Sequence, residues 1–290
     1  MKKITLISFV LALAITACNM QTEQKEEAKE EVTVKETVQK PNTLTQQELD
    51  DGWILMFNGM TPDGWRSHNG EQFPDHGWEV VDGTLHVIGS GRGEAGGGGD
   101  ILFDRKFSNF ELSLEWKVSE GGNSGIFYLA QEIPGDPVWK SAPEMQILDN
   151  EKHPDAKLGV DGNRAAGALY DLIPGKFEAV KPAGEWNHAK VMVYKGTIVH
   201  TMNGENVLEY HLWTDDWKKM VANRRLSIKG KDVFSIQVPD WRSHSKWGRK
   251  QCWINRTPKI AALTTFDTTD TAAKPTNPQP INRTNTPRLT

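Results

Sequence analysis

The stretch GGNSGIFYLAQEIPGDPVWKSAPEMQILDNEKHPDA (residues 121–156) decides how the chain is read. It holds two strand-like runs, Ser124–Ala130 and Glu144–Leu148, joined by a Gly/Pro-rich connection. Side chains alternate along a strand, so Glu144, Gln146 and Leu148 share one face and Met145 and Ile147 the other. Asp149, Asn150, Glu151 and His153 follow at once. One strand and its turn thus carry carboxylates, amides and an imidazole. Two readings stand side by side. The first is a site for acid/base chemistry on a polar ligand. The second is a half-buried antiparallel strand with a polar outer face and a solvated turn.

The same pattern repeats outward from this stretch. Turn pairs recur at Asn58-Gly59, Asp63-Gly64, Asp82-Gly83, Gly121-Gly122, Asp161-Gly162 and Asn203-Gly204. Between them lie short strand candidates: Trp53–Phe57, Trp78–Val81, Thr84–Ile88, Asp100–Phe103, Phe110–Val118, Ala168–Leu172, Trp186–Tyr194, Thr197–Met202 and Asn206–Tyr210. Asp82-Gly83 and Asn203-Gly204 are hairpin-type turns. Helical periodicity is scarce, with one turn expected over Thr45–Asp50. Many short strands predict an all-β jelly-roll β-sandwich, and eleven Trp in a chain 37% hydrophobic suit an aromatic-rich core.

The N-terminus reads MKKITLISFVLALAITACNM (residues 1–20). Lys2 and Lys3 precede a short apolar run, Ile4 to Ile15, and Ala17 precedes Cys18. Residues 1–17 are read as a secretory signal, too short to span a bilayer. Ile15-Thr16-Ala17-Cys18 resembles a bacterial lipobox, which implies lipidation of Cys18 and a membrane-anchored lipoprotein of the cell envelope. Several acyl chains on one residue give stable anchoring. Residues 18–43 hold six glutamates and four lysines and too few apolar groups to order themselves, so they read as a tether, with a helical stalk as the alternative. Only Cys18 and Cys252 occur, which leaves no intrachain disulfide and no zinc spacing.

Charge divides the remainder. Residues 44–223 carry 28 acidic against 15 basic side chains, and residues 224–290 carry 13 basic against 4 acidic. The expected domain is 44–255, atypical after 223. Residues 256–290, rich in Pro, Thr and Asn, are expected to be a disordered tail. A basic tail can bind nucleic acid, but an envelope-tethered protein has little access to it.

Read in order, DGWILMFNGMTPDGW (51–65), GWEVVDGTLHV (77–87), GGGDILFDRKFSNFELSLEWKVSEGGNSGIFY (97–128), PEMQILDN (143–150), GALYDLIP (167–174) and GEWNHAKVMVYKGTIVHTMNGENVLEY (184–210) resemble the 3-keto-disaccharide hydrolase family, formerly domain of unknown function 1080. The resemblance covers about residues 48–220. It implies a concanavalin-A-like jelly roll and lyase and hydratase activity on 3-keto-glycosides, a carbohydrate substrate. A ketone at C3 acidifies the C2 proton, so such a site needs a base, an acid and a stabiliser for the enolate. Glu144, Asp149 and His153 are the candidates for acid/base work. Asn123, Gln146 and Tyr170 are candidates for holding sugar hydroxyls, and Trp139, in a loop, for stacking on a sugar ring. Tyr170 with Asp171 reads equally well as a strand end and cap. No cofactor is implied. A divalent metal on Glu144, Asp149 and His153 is an option, although no fixed spacing such as HExxH demands one. Trp65, Trp186, His188 and His200 lie in strand or turn runs and read as structural. The run GSGRGEAGGGGD (89–100) lacks the Lys-Ser/Thr of a phosphate loop and reads as a flexible loop. A non-catalytic carbohydrate-binding lipoprotein is the competing function.

The chain departs from the family pattern at its end. Members close with a strand pair near GHIxLQDHGxxVWFRNIKI, whereas residues 224–263 read RRLSIKGKDVFSIQVPDWRSHSKWGRKQCWINRTPKIAAL. With the charge reversal after Asn223, this predicts either a change of reading frame near 223–226 or a sharply diverged C-terminus. In the first case the closing strand is missing.

Overall fold

The computed structural model describes residues 40–88, 97–222 and 252–263. The signal, Cys18, the tether to residue 39, most of the Gly-rich run, residues 223–251 and the tail from 264 lie outside the described residues.

A one-turn helix α1 (Gln46–Asp50) opens the fold, capped by Thr45, whose hydroxyl accepts from Glu48 N–H while the Glu48 carboxylate accepts from Thr45 N–H. Seven strands follow in the order β1 (Trp53–Leu55), β2 (Trp65–Ser67), β3 (Trp78–Val81), β4 (Thr84–Val87), β5 (Ile101–Phe103), β6 (Phe110–Val118) and β7 (Asn123–Phe127). Then come β8 (Glu144–Leu148), β9 (Asn187–Tyr194), β10 (Thr197–Met202), β11 (Glu205–His211), helix α2 (Asp215–Ala222) and β12 (Cys252–Ala262). The larger sheet has the order β11-β10-β9-β6-β12-β4-β3, with β1 paired to β12; β2-β5 and β7-β8 form two antiparallel pairs. Every named pairing is antiparallel, as a jelly-roll sandwich requires. The tight hairpins turn where expected: Asp82 and Gly83 (φ 49° and 71°) join β3 to β4, and Asn203 and Gly204 (φ 50° and 89°) join β10 to β11.

One continuous core lies between the larger sheet and the two pairs. Leu112, Leu114 and Trp116 of β6, Val191 of β9 and Ile198 of β10 meet Trp65, Ile101, Ile126, Met145 and Ile147. Trp116 is 1% exposed, and its loss to alanine should cost about 3–5 kcal/mol.

Three expectations are corrected. The closing strand is present: β12 lies between β6 and β4, with Ile260 opposite Leu112 and Cys252 opposite Val87. Folded structure therefore runs past the boundary drawn at residue 255, through Ala262. Pro258 is one of the prolines of the expected tail. It sits where the register slips between Arg256 and Lys259, so the N–H it lacks is not asked of it, and its carbonyl accepts from Met56 N–H at 2.8 Å. Residues 168–172 form a bridged strap rather than a strand, and α2 was not anticipated.

Candidate functional site

Both faces of β8 are covered: all five residues, Glu144 to Leu148, are buried. Met145 and Ile147 face the core, which leaves Glu144 and Gln146 under cover on the opposite face. The reading of β8 as a half-buried strand with a wet outer face is thereby replaced. Burying an ionisable group without a partner is expensive, and such positions cluster at functional sites.

Register says what surrounds them. On one side β7 pairs so that Phe127 stands opposite Glu144, Gly125 opposite Gln146 and Asn123 opposite Leu148. On the other side runs the strap. Met145 bridges Leu169 in antiparallel sense, Tyr170 N–H donates to Glu144 O at 2.9 Å, and Gln146 N–H to Ala168 O at 3.0 Å. Glu144 and Tyr170 are thus cross-strand neighbours on one face, as are Gln146 and Ala168. The small residues Gly125 and Ala168 flank Gln146 and leave a notch in the face. The Glu144 carboxyl leans into it: a methyl group on Gly125 would lie 2.0 Å from Glu144 Oε1.

No donor among the described residues hydrogen-bonds the Glu144 carboxyl. Burial first, then the charges of Asp100 and Asp155, push it well above the ordinary carboxylate value of 4.5. Beside it the Tyr170 hydroxyl donates to Asp155 Oδ2 at 2.8 Å, and burial with the Asp155 charge raises the phenol. Arg164 donates from Nη1 to Asp155 Oδ1 at 2.9 Å and from Nε to Asp171 Oδ1 at 2.8 Å, with its guanidinium 5.4 Å from the centre of the Tyr170 ring. Asp155 is fully buried, so the Arg164 charge is what makes it tolerable there. Arg164 Nη2 is left without a hydrogen-bond partner among the described residues.

The connection between β7 and β8 roofs one end of the face. Val138 and Ala142 pack on Phe127. Arg66 clamps Glu132 with two bonds of 2.7 and 2.6 Å, and Asn69 holds Ile133 O and Asp136 O. Trp139 projects from this pinned loop with 47% of its surface exposed, as a stacking platform must.

The structure sorts the candidate residues. Glu144, Gln146 and Tyr170 come together on one face, with Asn123 one row further along β7. Asp149 does not join them, and His153 sits at the turn that carries Asp155. Five residues of strand separate Asp149 from Glu144 by about 17 Å. Asp149 accepts instead from the N–H groups of Gly121, Glu151 and Lys152, at 2.6, 3.0 and 3.3 Å, and so shapes the turn after β8. His153 caps the next 3-10 turn, its Nδ1 accepting from Asp155 N–H at 3.2 Å. No His/Cys/Asp/Glu cluster among the described residues is arranged to hold a metal ion, so Glu144, Asp149 and His153 are not a ligand set. Sequence reading missed Gly125, Asp155 and Arg164. Asp155 lies within residues 121–156, and Arg164 stands six residues before Tyr170, as Lys176 stands six after; neither spacing signals a contact.

Comparison with known proteins agrees with this architecture. The profile of the 3-keto-alpha-glucoside-1,2-lyase-like domain matches residues 52–247. A 3-keto-disaccharide hydrolase of Bacteroides thetaiotaomicron is 45% identical, the match covering 78% of this chain and 85% of that protein. A crystal structure from Parabacteroides distasonis ATCC 8503, provisionally titled a glycosyl hydrolase, superposes with a TM-score of 0.64 at 28% identity, over 78% of this chain and all of that one. A second structure from that organism, at TM-score 0.53 and 21% identity, shares the fold. Residues 52–247 carry β1 through β11 together with the Glu144 face, and on these matches the chain belongs to the 3-keto-alpha-glucoside-1,2-lyase-like family.

Proposed function

We propose that this chain hydrolyses 3-keto-glycosides, including 3-keto-disaccharides, by elimination followed by hydration. The observation that carries the reading is the Glu144 carboxyl, buried, without a hydrogen-bond donor among the described residues and raised, leaning over the Gly125 notch. A sugar seated there meets a base stronger than an ordinary carboxylate once it is ionised. Glu144 takes the C2 proton, and the C2–H electron pair becomes the C2=C3 bond of an enolate. The enolate oxygen re-forms the C3 ketone, C1=C2 forms, and the C1–O bond breaks. The leaving oxygen takes a proton and departs as the free alcohol. Addition of water across C1=C2, oxygen to C1 and proton to C2, yields the 3-keto sugar. Net consumption is one water, and no oxidant or reductant enters. In this reading Gln146 and Asn123 hold hydroxyls. Tyr170 and Arg164 form the polar wall facing the developing charge, and Trp139 the stacking surface at the rim.

A pure carbohydrate binder has no need of a buried, raised carboxylate, which costs stability without improving affinity. Incubation with 3-keto-trehalose or an aryl 3-keto-glucoside should release the alcohol together with a 3-keto-2-hydroxy-glucal and then a 3-keto sugar. Binding without turnover would overturn the catalytic reading.

The anchor is part of the proposal. The apolar run before Ile15-Thr16-Ala17-Cys18 supports lipidation of Cys18 and a place on the bacterial envelope. Cys18→Ser should move the protein from the membrane to the soluble fraction; retention on the membrane would overturn this part.

A further inference from the structure

We propose that His200, on the far sheet, is a positioning residue for Glu144, spanning beneath β8 from one of its neighbours to the other; the proposal rests on the catalytic reading above. His200 lies in β10 and is wholly buried in the core. Its Nδ1 is 3.0 Å from Gly167 O and its Nε2 is 2.6 Å from the Tyr128 hydroxyl. A carbonyl only accepts, so Nδ1 carries the hydrogen and Nε2 is the acceptor. The Tyr128 hydroxyl therefore donates to His200, and the Tyr210 hydroxyl, 2.7 Å away, donates to Tyr128. Every proton in the chain from Tyr210 to Gly167 has one direction.

The two ends of the imidazole meet opposite flanks of β8. Tyr128 continues β7, its N–H donating to Pro143 O at 3.2 Å, one residue before Glu144. Gly167 opens the strap, its N–H donating to Gln146 O at 2.8 Å, two residues after Glu144. The row Phe127, Glu144, Tyr170 is thus held to one width from below. A planar ring with two fixed nitrogens does this; a flexible side chain does not. Burial pushes His200 down to about 4 and raises Tyr128 and Tyr210, so all three stay neutral and the bond directions persist through neutral pH. A buried polar network of this kind specifies geometry more than it adds stability.

The test compares His200→Phe, which removes both bonds, with Tyr128→Phe, which removes one and preserves shape. Three quantities are read on folded protein: melting temperature, kcat against KM on an aryl 3-keto-glucoside, and the titration of Glu144. The titration is followed as the pH-dependent carboxyl infrared band that Glu144→Gln abolishes. Displacement of a reacting group by about 1 Å can cost on the order of 10²-fold. His200→Phe should therefore lower kcat by roughly that factor and Tyr128→Phe by less, both with little change in KM and both with a shifted Glu144 band. A folded His200→Phe with wild-type kcat and an unshifted band overturns the proposal. If His200→Phe does not fold, the same result for Tyr128→Phe overturns it. Absence of turnover in the wild type would instead sink the catalytic reading, and this one with it, whatever the band does.

Discussion

Strands β8 and β9 alternate alike in sequence and live in different surroundings. In β9 (NHAKVMVY) buried and half-exposed residues alternate along the whole strand. Its outward residues His188 and Lys190 meet Ser113 and Glu111 at 2.8 and 2.6 Å on a face open to water. In β8 (EMQIL) the polar face is roofed by the connection between β7 and β8 and by the strap and loop that bring Tyr170 and Asp155. Alternation says which residues share a face. Whether that face is wet depends on what lies over it. The carboxylate of Glu111 on β6 finds Lys190 of β9 and solvent, whereas Glu144 on β8 is buried and finds no cation among the described residues, and its chemistry changes accordingly.

The sharpest way to break this contrast is Glu144→Gln, which keeps shape and removes the base. Turnover of a 3-keto-glucoside should fall about 10²–10⁴-fold, the usual worth of a positioned acid or base. An unchanged rate removes Glu144 from the mechanism. The pH dependence carries the same test. In the fold Glu144 titrates well above 4.5, so the folded state favours the protonated form. Its contribution to stability is full below the unfolded value and is lost as pH rises through the folded one. Glu144→Gln should therefore match the wild type in melting temperature at acid pH and exceed it as pH rises. The acid limb of kcat should lie above the ordinary carboxylate range. Equal melting temperatures across the range would contradict the burial cost.

Two ion pairs extend the comparison. Arg164→Met strands the fully buried Asp155 and should destabilise by about 3–5 kcal/mol, measured by denaturant unfolding. Lys190→Met on β9 breaks a pair in which the lysine is 38% exposed, and should cost no more than about 1 kcal/mol. Comparable losses at the two sites would mean that the cover over β8 does not exclude water.

Gly125→Ala places a methyl group against Glu144 Oε1, so either the carboxyl or the strand must shift. We expect kcat to fall by on the order of 10²-fold, with an overpacking cost of about 1–3 kcal/mol in stability. Full activity in a folded Gly125→Ala variant would show that the carboxyl does not work from the notch. The smallest effect should come from Trp139→Ala: a rise in KM of about tenfold or less, with kcat kept, as expected for one aromatic contact worth roughly 0.5–1.5 kcal/mol. A fall in kcat alone would place Trp139 nearer the chemistry.

Much of the fold was legible because strand periodicity and turn chemistry are local. Trp78–Val81, Phe110–Val118, Glu144–Leu148 and Thr197–Met202 begin and end where the alternation does, and the Asp-Gly and Asn-Gly pairs turn as their left-handed backbone allows. Strand β12 was hidden by Pro258 and a basic surround, since a register slip that tolerates proline exists only against a partner strand. Strand β2 is three residues long and has no periodicity of its own to read.

The site divides in the same way. Glu144 and Gln146 were legible because two residues apart on a strand share a face at any register. Tyr170 was legible as a polar residue in a matched segment, though its place beside Glu144 comes from the strap's hydrogen bonds. Asp149 looked like a partner because it is near in sequence, yet a strand carries near residues apart, and His153, beyond the turn, caps the 3-10 turn that carries Asp155. By itself the sequence determined the alternation, the turns, the charge division and the family, all of which rest on neighbours along the chain. Tertiary structure alone decided that β8 is covered, that Gly125 opens a notch under Glu144, that Arg164 and Asp155 come beside this face, and that His200 lies beneath the strand. Those facts depend on residues brought from distant parts of the chain, and on the exclusion of water, which no local pattern encodes.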